Sequence, residues 1–447
     1  MKKIHFIGIG GIGMSALARY LLAQKWAISG SDAMESAITK ALRKEGVNVK
    51  IGHKMAHVGR GTGLVVYNRA IPADNPELRE ARRLLIPTVP YAQVLGEITK
   101  GHATIAITGS HGKTTTTALA GITLMKNKFD PTILIGSNLT ELGGKNVRVG
   151  KSPYLVLEAD DFGAAFLEYV PTIAIVTNID REHLDFYKTF ANLKKSFLKF
   201  LSRVKLGGVM ILNRDDKNLY SLHGVIATIA KRNRVRVIWY SSANRSAGKI
   251  KKALKIAGEH NASNALAVFE LGKLLKIPES NILRALGSYR GAWRRMEYRG
   301  MMRAGAQAIN VFDDYAHHPT EIKATLSAFR EKFPASPLIC VFQPHQAQRL
   351  QMLFNEFRDT FASADVTIIF PLYHVKGRDV VAKRNANDLV RAMHKKHPKK
   401  PVFYCSNPRE IKELLKEVMK LLPAPRSPIL VMMGAGNIVS ITDRLIK

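Results

Sequence analysis

The chain has 447 residues, enough for about three domains at ~150 residues each. With 46% hydrophobic, 23% charged and 8% aromatic residues its composition is globular, which excludes a mostly disordered, collagenous or fibrous chain. Its 68 Lys+Arg against 35 Asp+Glu give a formal charge of +33, and its two cysteines, Cys340 and Cys405, exclude a disulfide framework and point to a reducing compartment.

Short β-rich runs alternate with helical patterns along the whole chain, the signature of α/β units with parallel sheets. The basic start and the small residues Ser15–Ala18 resemble a targeting peptide, but four glycines interrupt the apolar stretch. No later run of ~20 apolar residues could span a bilayer, so a soluble, cytoplasmic protein is expected. Ile4–Ile9 reads as a strand and Met14–Gln24 as the helix after it. Between them, Gly8–Gly13 contains G-x-G-x-x-G, which lets the backbone approach a diphosphate at a helix N-terminus. Ser31-Asp32 follows about 20 residues later, where an acidic residue can meet a ribose hydroxyl. Alone, this loop suggests a nicotinamide-dependent dehydrogenase, although a UDP-sugar presents the same diphosphate and ribose.

Ala103–Thr108 is a strand and Thr114–Met125 a helix. Between them lies Gly109-Ser110-His111-Gly112-Lys113-Thr114, the Gly-Lys-Thr end of a P-loop without its distal glycine, since Ile107 stands there. Backbone N–H groups of such a loop wrap phosphates, the lysine reaches β/γ-oxygens, and the threonine can ligate Mg²⁺. Two phosphate loops in separate α/β units imply two phosphorylated ligands, one more than a dehydrogenase needs. Tyr154–Glu158 is a buried strand ending in Glu-Ala-Asp-Asp, and Ile173–Thr177 another, followed by Asn178–Asp185 with His183. Carboxylates at strand ends are where an open α/β sheet places its chemistry. His183 is either a metal ligand or a loop histidine bonded to Asp180 or Asp185.

Lys231–Lys255 holds nine basic residues and no acid, with only Trp239 and Tyr240 as interleaved aromatics. The basic excess is spread along the chain: 15 basic against 7 acidic residues over 1–100, 31 against 15 over 101–300, 22 against 13 over 301–447. It is read as a background that suits polyanionic small molecules, not as a nucleic-acid surface. Leu338–Phe342, Val366–Phe370 and Ile429–Met433 are strands. Before them, Asp313–Glu321 precedes a helix that Thr320 or Asp314 could cap and Pro319 could open. Gln343–Arg349 follows a strand end, and Gly434–Asn437 is a third glycine turn. Lys395–Pro401 reads as a basic surface loop. Boundaries are expected near Lys100-Gly101 and Gly291.

Taken together and in order, HFIGIGGIGMSALA, SGSD, DNPEL, TGSHGKTTTT, EADD, TNIDREHLDFY, GEHNASNALA, WRRMEY, DDYAHHPTEIKATL, FQPH and MGAGNI resemble the Mur ligase family over essentially the whole chain. The resemblance implies three domains: a Rossmann-like UDP-binding domain (1–100), a P-loop ATPase-like central domain (101–291) and a Rossmann-like C-terminal domain (292–447). It implies ATP and Mg²⁺ as cofactors, no membrane or nucleic-acid partner, and a monomer or homodimer. Within the family it points to the branch that joins L-alanine to the lactyl carboxylate of UDP-N-acetylmuramate through an acyl phosphate, in cytoplasmic peptidoglycan synthesis. The alternatives are a recycling ligase that adds a preformed peptide and a non-catalytic basic nucleotide-binding protein.

By the same resemblance, Lys113 stabilises the transferring phosphoryl group. Thr114 and Glu158 ligate one Mg²⁺, and His183 a second. Gly109 to Thr115, His260, Asn261 and Asn264 contact ATP. Arg294 or Arg295 supplies a phosphate-binding arginine, and Asp314 and Tyr315 reach the nucleotide. His317 and Arg349 hold the amino acid, and Gly10, Gly11, Ile12, Ser31 and Asp32 form the UDP site. The chain departs from the family's pattern at several places. Gln346 replaces an arginine, leaving L-alanine, glycine and L-serine open. Ala316 replaces a glycine, Asn68-Arg69 a serine pair, and Asp161-Phe162-Gly163 stands where the acidic motif usually continues Glu-Ser-Asp. The stretch from Trp239 to Gly258 is shorter than usual, so edge strands of the central domain are expected to be missing.

Overall fold

The computed structural model describes residues 3–305, 307–374, 383–422 and 427–446. The chain forms two compact units, residues 1–255 with 262–290 and residues 256–261 with 291–447. The first unit carries two sheets. Strands β1 (Lys3–Ile7), β2 (Ala27–Asp32), β3 (Asn48–Ile51), β4 (Leu64–Tyr67) and β5 (Thr88–Pro90) form a parallel sheet ordered β3-β2-β1-β4-β5. The strand order reverses at β1, so the glycine loop that follows β1 stands at the switch point, where open α/β sheets bind ligands.

The second sheet comprises β6 (Ala103–Thr108), β7 (Thr132–Leu139), β8 (Lys145–Arg148), β9 (Tyr154–Glu158), β10 (Ile173–Val176), β11 (Val209–Asn213) and β12 (Arg236–Tyr240). Its order is β12-β11-β10-β6-β9-β7-β8, parallel except for the β7–β8 hairpin. The inner strands are continuous apolar runs because helices cover both faces. The P-loop leaves central β6, flanked by the loops after β9 and β10. After β12 only the helix Ala247–Ala253 intervenes before the helix Glu259–Leu274, so among the described residues no strand lies between Trp239's strand and Gly258. Of the aromatics in the basic run, Tyr240 is buried and Trp239 packs edge-on against Tyr220 at 5.3 Å.

The second unit carries β13 (Glu297–Ala304), β14 (Gln307–Asp314), β15 (Leu338–Phe342), β16 (Val366–Ile369), β17 (Val402–Tyr404) and β18 (Ile429–Met433). Their order is β13-β14-β18-β15-β16-β17, with β13 alone antiparallel. The ends of β14, β18 and β15 therefore lie side by side. The helix Pro319–Lys332 is capped by His318, whose Nδ1 accepts from Thr320 N–H, and not by Thr320 or Asp314. Lys395–Pro401 is not a plain surface loop. Its first two lysines end the helix Ala386–Lys396, and the Lys400 ammonium donates to the carbonyls of Phe361, Ala362 and Ala364. Both cysteines are buried free thiols, and burial pushes the Cys340 thiol well up. Among the described residues no helix is long and apolar enough to cross a membrane.

Candidate active site

The P-loop is built by two neighbouring strands. Gly109 and Gly112 have positive φ, and Gly112 opens the helix Lys113–Lys126. A Cβ on Gly112 would lie 2.4 Å from Asn264 Oδ1, so only glycine fits beneath that amide. The loop after β10 grips the other side. His111 N–H donates to Asn178 Oδ1 at 2.8 Å, and Thr177 and Asn178 donate to the His111 carbonyl at 2.6 and 3.0 Å. Asp180 accepts at His111 Nε2 at 2.9 Å. The threonine run after Lys113 is explained by packing: Thr114 to Thr117 are buried, and Thr116 and Thr117 bond back to the carbonyls of Gly112 and Lys113.

Lys113 Nζ donates to Gly109 O at 2.7 Å, Ser110 O at 3.1 Å and Asp161 Oδ1 at 2.8 Å. Desolvation works against its charge, yet Asp161, Asp160 and Glu158 outweigh it and hold the ammonium above the ordinary lysine range. Thr114 Oγ1 donates to Glu158 Oε1 at 2.8 Å, and Gly136 N–H donates to Oε2 at 2.7 Å. Desolvation pushes the carboxyls of Glu158 and Asp160 up, which marks a site that favours an added cation.

The residues present fit a divalent ion. Asp160, Asp161 and His183 offer ligand atoms all within 4.8 Å of one another. Asp161 Oδ2 and His183 Nδ1 are buried and make no hydrogen bond. His183 has φ 55° at the start of the turn Leu184–Tyr187, with its ring 5.1 Å from Phe162. Sequence reasoning named Glu158 and His183 but missed the ligand potential of Asp160 and Asp161. Their place at the end of a buried strand was the available signal.

At the first sheet, Gly10 N–H donates to Asp32 Oδ2 at 2.8 Å, and the Ser31 carbonyl accepts from Gly8 and Ile9. Asp32 thus shapes the glycine loop, and a Cβ on Gly10 would lie 2.8 Å from its carboxylate. Ser31 was expected to contact substrate. Its side chain is instead fully buried, with its hydroxyl bonded to Glu77 and His53, so it supports the loop from behind. Glu77 sits at about 2: burial works the other way, and His5, Ser31 and His57 outweigh it. Gly11 caps the helix that Ile12 begins. Arg69, one of the departures from the family's pattern, donates to the Gly163 carbonyl and lies 3.8 Å from Glu168.

In the second unit, Arg294 and Asp314, both expected to reach ATP, are buried and bonded within the protein. Arg294 is 3% exposed and donates to the carbonyls of Gly434 and Gly436, so it braces the glycine turn after β18. Asp314 is 2% exposed and accepts from the backbone of Met296 and Ala316 and from Thr325. These bonds hold Arg294 against the glycine turn, and tie Asp314 to the residue before β13, to its own following loop and to the helix Pro319–Lys332. Arg295, with 30% of its side chain exposed, faces Glu321 and lies over the Tyr315 ring at 5.3 Å. Tyr315, His317 and His345 form a chain of rings at 5.4 and 5.9 Å. Arg349 stands 3.3 Å from His345 Nδ1, and His345 stacks on Tyr373. Gln346 is buried with φ 67° and gives its N–H to the Tyr373 carbonyl. His260 is packed at the start of its helix, where burial and then Arg295 lower its pKa to about 4. Asn261 caps back to the Ala257 carbonyl at 2.6 Å.

Three family profiles cover these regions: "Mur ligase family, catalytic domain" over residues 3–103, "Mur ligase middle domain" over 107–272, and "Mur ligase, glutamate ligase domain" over 294–436. The chain is 37% identical over 462 residues to the UDP-N-acetylmuramate–L-alanine ligase of Sulfurihydrogenibium sp. (strain YO3AOP1), covering 100% of this chain and 98% of that one. It is 40% identical over 407 residues to the ligase of the same name from Clostridium novyi, with 87% of each chain covered. Among solved structures, the UDP-N-acetylmuramate-alanine ligase of Thermotoga maritima superposes with a TM-score of 0.79 at 26% identity, over 100% of this chain and 98% of that chain. A murein peptide ligase from Psychrobacter arcticus shares the fold with a TM-score of 0.71 at 22% identity, over 100% and 98%.

Proposed function

The chain belongs to the Mur ligase family, and from that membership we infer that it joins L-alanine to the lactyl carboxylate of UDP-N-acetylmuramate in peptidoglycan precursor synthesis. The observation that carries this reading is the end-to-end match at 37% identity to ligases of that specificity. Two phosphate loops on separate sheets suit a reaction with two nucleotides. The protein acts on small molecules in the cytoplasm, as a monomer or homodimer.

The lactyl carboxylate attacks the γ-phosphorus of ATP, the bond to the ADP oxygen breaks, and an acyl phosphate forms. The alanine amine then attacks the acyl carbonyl, loses a proton, and phosphate departs with the bonding pair. In this reading Gly109 to Thr115 wrap the phosphates with backbone N–H groups at the helix N-terminus. Lys113 leaves Asp161 for the transferring phosphoryl group, a move its hydrogen bonds to Gly109 and Ser110 keep short. Thr114 and Glu158 would hold one Mg²⁺, and His183 with Asp160 and Asp161 a second. Mg²⁺, when bound, neutralises the oxygens of the triphosphate and of the attacking carboxylate. Asn264, beside Gly112, keeps the loop and the ATP together; His260 and Asn261 belong to the same helix start. Arg295 is the phosphate-binding arginine of the pair, with Tyr315 beside it. His317 and Arg349 receive the amino acid; Gln346, turned inward, leaves the carboxylate to Arg349. Gly10, Gly11 and Ile12 take the diphosphate, with Asp32 fixing the loop.

The test is phosphate release from Mg²⁺-ATP with UDP-N-acetylmuramate, adding L-alanine, glycine, L-serine or nothing. Release that needs L-alanine and falls by about 10²–10³-fold in Lys113→Ala is expected. Preference for glycine or L-serine would keep the class and relocate the specificity to the pocket around Gln346. Folded protein that releases none with any of them refutes the ligase.

A further inference from the structure

The glycine loop is completed by a residue from the other sheet of its own unit. Asn146, on β8, is fully buried. Its amide N–H₂ donates to the Ile12 carbonyl at 2.6 Å and to Ser15 Oγ at 3.0 Å. Its Oδ1 accepts from Arg19 NH1 at 2.7 Å, and Arg19 Nε donates to Glu45 at 2.8 Å. Ser15 Oγ itself donates to the Ile12 carbonyl at 2.9 Å. The Asn146 side chain thus uses both donors and its acceptor on one helix, Ile12–Ala23, the helix whose free N–H groups face the diphosphate.

The strand paired with β8 matters too. β7 pairs antiparallel with β8, and its Gly136 N–H holds Glu158 Oε2. One hairpin therefore grips both the first turn of the glycine-loop helix, through Asn146, and the carboxylate beside Thr114, through Gly136. A first-turn carbonyl normally accepts only from the residue four places on. Here Ser15 Oγ and, from outside the helix, Asn146 donate to it as well, and the outside donor fixes the tilt of that turn and with it the direction of the N–H groups ahead of it.

We propose that Asn146 is a positioning residue for the UDP end of the substrate, acting through the Ile12 carbonyl and Ser15. The proposal rests on the reading of Gly10–Ile12 as the diphosphate site. Its test is calorimetric titration of the full-length protein with UDP, together with KM for UDP-N-acetylmuramate and for ATP. Asn146→Asp keeps an oxygen toward Arg19 and removes both donated bonds. It is expected to weaken UDP binding about tenfold, as for one or two lost buried hydrogen bonds. KM for UDP-N-acetylmuramate should rise in parallel and KM for ATP stay within twofold. Ser15→Ala, a milder change, should weaken UDP two- to threefold with a nearly unchanged melting temperature. A role in packing alone would lower the melting temperature without this KM split. UDP affinity within twofold of the parent in both variants overturns the proposal. If Asn146→Asp does not fold, Ser15→Ala decides it. Failure of the parent protein to bind UDP overturns the underlying reading instead.

Discussion

Arg294 and Arg295 differ in what their guanidinium groups touch, and the difference is measurable. Arg294 satisfies the carbonyls of Gly434 and Gly436 from a buried position. Removing it leaves buried acceptors unpaired, a loss of about 1–3 kcal/mol per group. Arg294→Ala should therefore melt several degrees lower. Arg295→Ala should melt within about 2 °C of the parent and lose about 10²–10³-fold in kcat, the scale of one lost charge stabiliser. Thermal melts and phosphate release on both variants check this, and the reverse pattern would exchange the two assignments. Sequence alone left the pair undecided because adjacent arginines look alike until the strand pairing of β14 with β18 puts one of them under the glycine turn. The same holds for Asp314, which reads as a ligand-facing acid after an apolar strand but accepts from two backbone N–H groups and the Thr325 hydroxyl.

The helix Glu259–Leu274 places His260 at its start, where burial, reinforced by Arg295, lowers the pKa to about 4 against an ordinary 6.5. The unfolded chain then binds a proton between pH 6.5 and 4 that the folded chain refuses, so stability falls as the pH drops through that window. From pH 7 to 5 this residue should remove about 2 kcal/mol. Urea unfolding of the parent and of His260→Gln at both pH values tests it: the variant should lose about 2 kcal/mol less, and equal losses refute the assignment. At this scale the strands were the most legible part of the sequence. Ala103–Thr108, Tyr154–Glu158, Leu338–Phe342 and Ile429–Met433 have the expected bounds, since buried parallel strands are unbroken apolar runs. The two glycine loops were legible as turns for a related reason, since each follows a strand and opens a helix at Gly11 and Gly112. What escaped was everything decided by a partner distant in sequence. The Lys400 clamp on residues 361–364, the turning of Arg69 to Gly163 and the joining of Asp160 and Asp161 to His183 are all of this kind.

Over the whole molecule, a formal charge of +33 gives a positive field in which two polyanionic substrates must find their loops. Raising the salt from about 0.05 to 0.5 M at fixed Mg²⁺ shortens the screening length severalfold. KM for ATP and for UDP-N-acetylmuramate should rise severalfold while kcat and KM for L-alanine, a zwitterion, change little. Flat KM values for both nucleotides would show that the excess charge plays no part in capture. The burial of both thiols has a practical side. Cys340 and Cys405 lie inside the third sheet's unit with no exposed sulfur, and the Cys340 thiolate is strongly disfavoured. To a maleimide dye the native chain is in effect already cysteine-free, so a single cysteine introduced at an exposed site can carry a fluorophore without stripping the parent of its own. Ligand arrival could then be followed by stopped-flow fluorescence in an otherwise unaltered protein.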